Sequence, residues 1–181
     1  MAGRMREMLN RFLGRDTPAG FSGSLAAEEI VLAAAELMDG GHLVATSLGL
    51  WLPAGDSSRR LGWHLISKAT WRGEELGIIE AEQTGMVGAV VLLTDRQPVR
   101  FRLARSGRLP DIVHARVTGS IKSRHHRDLP GGGAWFVQRQ VPGEGRLVLQ
   151  VRADPGTDRD AVRSVASQVG ESLRGVGGGH H

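Results

Sequence analysis

Val87-Gly-Ala-Val-Val-Leu-Leu-Thr94 runs into Asp95-Arg-Gln-Pro98 and then into Val99-Arg-Phe-Arg-Leu103. The first run has the length and apolar content of a buried strand, the middle four residues favour a turn, and the last run alternates strictly between apolar and arginine side chains. Successive strand residues point to opposite faces, so the alternation predicts one buried face and one arginine face. The two runs read as an antiparallel hairpin.

The same pattern extends outward in both directions. Downstream, Ala134 to Val141, the turn Pro142-Gly-Glu-Gly145 and Arg146 to Ala153 predict a second hairpin. Upstream, Arg60 to Trp71, the turn Arg72-Gly-Glu-Glu75 and Leu76 to Glu82 predict a third. The short runs Leu43 to Ser47 and Leu48 to Pro53, followed by the polar turn Ala54-Gly-Asp-Ser-Ser58, complete a β-rich core over residues 42–153.

Helical spacing interrupts this pattern in four places. Ser24 can cap a helix over 24–39, with Glu28 and Glu29 near its N-terminus, apolar Leu25, Ala26, Ile30, Ala33, Ala34 and Leu37, and Gly40-Gly41 as its stop. Leu109-Pro110 opens a helix to about Lys122, because proline is tolerated in a first turn and Ile112, Val113, Val117 and Ile121 keep near-helical spacing. A loop from Arg124 to Gly133 follows it. Thr157 caps a last helix over 158–173, where Val162, Val165, Ala166, Val169 and Leu173 form one apolar face. At the N-terminus, Met5, Met8, Leu9, Phe12 and Leu13 make one stripe of an amphipathic helix over 1–15, flanked by Arg4, Arg6, Arg11 and Arg15. Residues 16–23 read as a linker, and 175–181 as a flexible glycine-rich tail ending in two histidines. The expected class is therefore α+β: an antiparallel sheet or partly open barrel with an inserted helix and a closing C-terminal helix, preceded by N-terminal helices.

Composition narrows the chemistry. A chain of 181 residues suits one domain of ordinary size, with a single α+β unit over 24–174. The absence of cysteine excludes disulfides, thiolate metal sites, iron–sulfur clusters and cysteine nucleophiles, and fits a cytoplasmic setting. Arginines break every apolar stretch near the N-terminus, which argues against a secretory signal, and no apolar run approaches the roughly 20 residues of a membrane span. Lys and Arg total 23 against 19 acids, a net charge of +4, and all but Lys68 and Lys122 are arginine.

Leu61-Gly-Trp-His-Leu-Ile66, Ala69-Thr-Trp71, Leu109-Pro-Asp-Ile-Val-His-Ala-Arg-Val-Thr-Gly-Ser-Ile121 and Leu129-Pro-Gly-Gly-Gly133 resemble stretches of small uncharacterised actinobacterial proteins with a pleckstrin homology-like domain. The resemblance covers about residues 42–173. It implies strands curled into an open barrel plugged by the final helix, and a role in binding lipid, peptide or protein. The helix after Thr157 lacks the tryptophan that such domains commonly carry there.

Catalytic and cofactor motifs find little support. Gly119-Ser-Ile-Lys-Ser123 lacks the spaced glycines and Gly-Lys-Ser/Thr order of a phosphate loop, and Gly131-Gly-Gly133 precedes a strand rather than a helix. Histidines 42, 64, 114, 125 and 126 show no metal-ligand spacing, and no Gly-x-Ser-x-Gly elbow occurs. Glu74, Glu75, Glu80 and Glu82 flank a hairpin as solvated carboxylates. Trp51, Trp63, Trp71 and Trp135 all lie in strand patterns where core packing claims them. No cofactor, metal or catalytic residue is expected.

Basic surfaces remain. Arg100 and Arg102 share a strand face, followed by Arg105 and Arg108, and Lys122, Arg124, His125, His126 and Arg127 form a compact basic segment. Such groups suit anionic headgroups, nucleic-acid phosphates or an acidic protein partner. The expectation is a non-catalytic binding or adaptor module, peripheral to an anionic membrane. Arg4, Arg6, Arg11 and Arg15 would supply surface attraction, and Met8, Phe12 and Leu13 would insert. Arg100, Arg102, Lys122 and Arg124 would form a second anionic contact. The alternatives are a basic nucleic-acid-associated protein and an enzyme whose site is assembled from distant residues.

Overall fold

The computed structural model describes residues 16–177. Strands β1 (Val31–Glu36), β2 (His42–Thr46), β3 (Gly49–Ala54) and β4 (Ser57–Gly62) form an antiparallel four-stranded meander. A single 3-10 turn, Trp63–Leu65, carries the chain into a seven-stranded sheet. Its strands are β5 (Ile66–Arg72), β6 (Glu75–Val87), β7 (Val90–Asp95), β8 (Val99–Arg102), β9 (Ile121–Leu129), β10 (Gly132–Gln140) and β11 (Leu147–Ala153). They are ordered β5-β6-β7-β11-β10-β9, with β8 also on β6, and the sheet curls into a half-barrel. Helix α1 (Leu109–Ser120) precedes β9, and α2 (Arg159–Gly177) closes the described chain. No described helix is long and apolar enough to cross a membrane.

The β-rich, largely antiparallel α+β architecture is as expected, but several elements differ. Residues 24–39 are not a helix: Val31–Glu36 is a strand paired with β2 in the register Ala34↔Val44 and Ala35↔Leu43. Ala35 and Leu37 are buried while Ala34, Glu36 and Met38 are exposed, a period of two that the helical reading overlooked. Alanine's helix preference is small beside the pairing and burial gained in a sheet.

The run Arg60 to Trp71 is broken by the 3-10 turn into β4 and β5, which sends its halves into different sheets. Likewise, Asp95-Arg-Gln-Pro98 does not reverse the chain. Strands β7 and β8 lie one after the other along the same edge of β6, from Val87↔Val90 through Ala81↔Asp95 to Ile78↔Val99 and Glu75↔Arg102. Pro98 has no N–H to give a ladder, so pairing lapses there while the direction continues. The true reversal is at Val87-Gly88-Ala89-Val90, where Gly88 takes φ 59°, a conformation that costs a side-chain-bearing residue. The alternation of Val99–Leu103 is realised only in part: Leu103 is buried, Phe101 is half-buried and Arg100 and Arg102 are exposed, but Val99 is 53% exposed.

Residues 124–129, expected in a loop, belong to the edge strand β9, paired with β10 from Gly132↔Leu129 to Arg139↔Ile121. The Ala134–Val141 and Arg146–Ala153 hairpin is present as β10 and β11. One pairing, β11 with β7, is parallel, which the hairpin reading did not anticipate. The last helix extends through Gly177, so residues 175–177 are helical rather than tail. The amphipathic segment 1–15 and residues 178–181 lie outside the described residues.

Two apolar cores result. The first joins the meander to β5, β6 and β8, with Leu43, Leu50, Trp63, Ile66 and Leu76 at its centre and Leu109, Val113 and Val117 of α1 laid across it. The second lies between α2 and one face of the seven-stranded sheet, where Val162, Val165 and Ala166 meet Val90, Phe136 and Val151. The helix that seals the first core is therefore α1, not the C-terminal one. Leu109, Val113 and Val117 recur every four residues on one face, which is the stripe that burial requires.

Candidate functional site

Strand alternation divides the seven-stranded sheet between two tasks. On β10, Ala134 and Phe136 face α2, while Trp135, Val137 and Arg139 line a groove on the other side. The same division puts Gln150 and Arg152 of β11 and Leu93 and Asp95 of β7 in the groove, with Val151 and Leu92 in the core. Ser67 and Lys68 of β5, Ile79 and Ala81 of β6, and Ile121 and Arg124 of β9 complete a volume of about 330 Å³. Ala81, Leu93, Val137, Arg139 and Gln150 are buried at its floor, and Lys68, Asp95 and Arg124 are exposed at its mouth.

The floor holds an unusual cation. Arg139 is only 3% exposed, and all its hydrogen-bond acceptors are neutral. Its Nε donates to Ser120 Oγ at 3.0 Å and Nη1 to the Ile66 carbonyl at 2.6 Å. Nη2 reaches the carbonyls of Trp63 at 2.9 Å and Val117 at 3.2 Å, and Ser120 Oγ at 2.6 Å. Val117 and Ser120 end α1, so the guanidinium sits at the negative end of that helix. Burial, and next the charge of Arg152, pull its pKa down to about 10, which leaves it protonated at neutral pH. Among the described residues no carboxylate pairs with it, and its Nη1 has a single acceptor, the Ile66 carbonyl.

The rest of the groove adds more positive charge. Arg152 Nε lies 3.6 Å from Asp95 Oδ2. Arg124 stacks over Trp135 at 5.2 Å, and His126 meets the same ring at 5.0 Å and 65°, its Nε2 2.7 Å from Asp154 Oδ2. Lys68 has no ion-pair partner among the described residues. Four cations thus line a groove that contains one carboxylate.

Of the anion-contact residues expected from the sequence, only Arg124 belongs to this groove among the described residues. Arg100 and Arg102 stand on β8, 73% and 62% exposed, 3.6 Å from Glu75 and 3.9 Å from Glu74. Those carboxylates compensate them, and such exposed pairs are weak. Lys122 donates to the Gly119 carbonyl at 3.0 Å outside the groove. Arg4, Arg6, Met8, Arg11, Phe12, Leu13 and Arg15 lie outside the described residues. Sequence reading missed Lys68, Arg139 and Arg152. The period-two run Trp135-x-Val137-x-Arg139 carried a signal for one of them, an arginine on the same strand face as a tryptophan and a valine.

Other expectations concern single residues. Trp51 and Trp63 are core side chains as anticipated, but Trp71 is 38% exposed, because β5 ends at an edge, and Trp135 walls the groove. Among the described residues, no group of three or more histidine or acidic side chains is placed to hold a metal ion. Comparison with protein-family models, curated proteins and solved structures gives no match for this chain.

Proposed function

We propose that this chain is a non-catalytic binding module of pleckstrin homology-like architecture that recognises anionic groups at a membrane surface on the cytoplasmic side. The observation that carries the reading is the cationic groove, where Lys68, Arg124, Arg139 and Arg152 outnumber a single carboxylate. A buried guanidinium without a carboxylate is costly, and an anion in the groove would offset that cost. The first core supports the architectural part: a four-stranded meander, the three strands β5, β6 and β8, and one helix laid across them. On this reading the second sheet and α2 are additions that build the groove. The N-terminal sequence contributes Arg4, Arg6, Arg11 and Arg15 for attraction and Met8, Phe12 and Leu13 for insertion.

Vesicle co-sedimentation tests the proposal. The full chain should partition onto phosphatidylcholine vesicles containing phosphatidylglycerol and not onto phosphatidylcholine alone, with binding that weakens as salt rises. Lys68→Glu should reduce that partitioning, and a chain starting at Ser24 should bind more weakly than the full one. Equal partitioning onto neutral and anionic vesicles would overturn the reading. Equal binding by the two chain lengths would remove the N-terminal residues from it.

A further inference from the structure

We infer that the groove holds a single amphiphilic anion, with one oxyanion group neutralising the Arg139 and Arg152 charges and an apolar portion lying against Ile79, Ile121 and Trp135. The inference rests on the proposal that the groove binds anions, and it adds the chemical class of what binds.

Two independent features lead to it. The first is charge: Arg139 and Arg152 line the same groove, Asp95 approaches only Arg152, and every acceptor of Arg139 is neutral. Oxyanions accept several N–H donors at once, and guanidinium forks favour them over neutral acceptors. The second is the apolar lining. Ile79, Ile121 and Trp135 are part-exposed in the groove, over Ala81, Leu93 and Val137, which are already buried. An inorganic anion would leave the exposed apolar surface unused, whereas an alkyl chain would cover it. A volume of about 330 Å³ admits a small molecule and not a folded partner.

Isothermal titration of the full chain with straight-chain carboxylates from acetate to octanoate, below their micelle concentrations, separates the two layers of the argument. Inorganic phosphate serves as the head-only probe. Affinity should rise about fourfold per added methylene until the groove is full. Arg152→Gln should weaken every member about tenfold and leave the dependence on length intact. Binding of phosphate and acetate with no gain from longer chains would overturn the amphiphile and leave the anion site standing. No binding by any member would overturn both. A lipid and a free amphiphile share this chemistry, so octanoate is then added to protein bound to anionic vesicles. Release identifies a lipid headgroup as the occupant, and retention identifies a free amphiphile.

Discussion

Glu29 is fully buried yet ionised, and its surroundings explain how. Burial alone would push its pKa up. Hydrogen bonds from Thr46 Oγ1 at 2.6 Å, the Ala26 N–H at 2.9 Å and Trp51 Nε1 at 2.9 Å, with the charge of Arg60, outweigh burial and hold it below the ordinary value. It thereby fastens the segment before β1 to β2, β3 and β4. Glu29→Ala should cost about 3–5 kcal/mol in chemical denaturation, since it orphans buried donors and frees Arg60. His64 is shifted in the same direction. Burial, with the charges of Arg139 and Arg146 outweighing Glu144, depresses its pKa, and its buried Nδ1 has no partner. Both groups bind fewer protons folded than unfolded, so each stabilises at high pH and loses that contribution as pH falls. For His64 the loss begins below its unfolded value near 6.5, and for Glu29 below about 4.5. Denaturation midpoints measured from pH 8 to about pH 2 should therefore fall in two steps, and His64→Asn should remove the upper one.

At the scale of elements, α1 owes its place to three side chains. Leu109 and Val113 are fully buried and Val117 is 7% exposed, so the helix docks with an apolar edge although most of its surface is wet. Leu109→Ala should cost about 2–5 kcal/mol, measured by thermal or urea unfolding. Val113→Ala should give a smaller loss of the same sign. A negligible loss for Leu109→Ala would mean that α1 does not seal the core. This helix was legible in the sequence because proline in its first turn and a four-residue apolar repeat agree. The 24–39 segment misled for the opposite reason. Its alanines suit a helix locally, and only the buried Ala35 and Leu37 against the exposed Ala34, Glu36 and Met38 show that a sheet has claimed it. Most strands were readable, β1 and β9 excepted, and so were the hairpin partners β5 with β6 and β10 with β11, but partners beyond these hairpins were not. Nothing local to Asp95–Pro98 distinguishes a reversal from a lapse in pairing, since that depends on β6 being long enough to serve both β7 and β8. The groove shared this fate: its cations come from β5, β9, β10 and β11, and only the parallel pairing of β7 with β11 brings them onto one face.

For the whole molecule, the question is what holds the first core to the second. Strand β6 spans both, and Arg139 adds the principal polar tie, since from β10 it reaches the 3-10 turn, the first residue of β5 and the end of α1. Gln150 reinforces it by donating to the His64 carbonyl at 2.7 Å. Arg139→Met keeps the inner part of the side chain but removes the guanidinium from three carbonyls and a hydroxyl, of which the Val117 carbonyl keeps Ser120 Oγ and the Trp63 carbonyl keeps the Ile66 N–H as donors. Each group left short of a partner carries a penalty of about 1–3 kcal/mol, relieved in part by no longer burying a charge. A net loss of about 1–3 kcal/mol is expected. Arg139→Lys keeps the charge but not the planar fork, so it cannot meet the same acceptors and should rescue little. If the tie couples the cores, both variants should also break the cooperativity of unfolding. Tryptophan fluorescence, to which Trp51, Trp63 and Trp71 contribute from the first unit, should then report a different midpoint from hydrogen exchange in α2. Coincident midpoints in both variants, with stability lowered, would show that β6 alone couples the cores and that Arg139 only braces the groove.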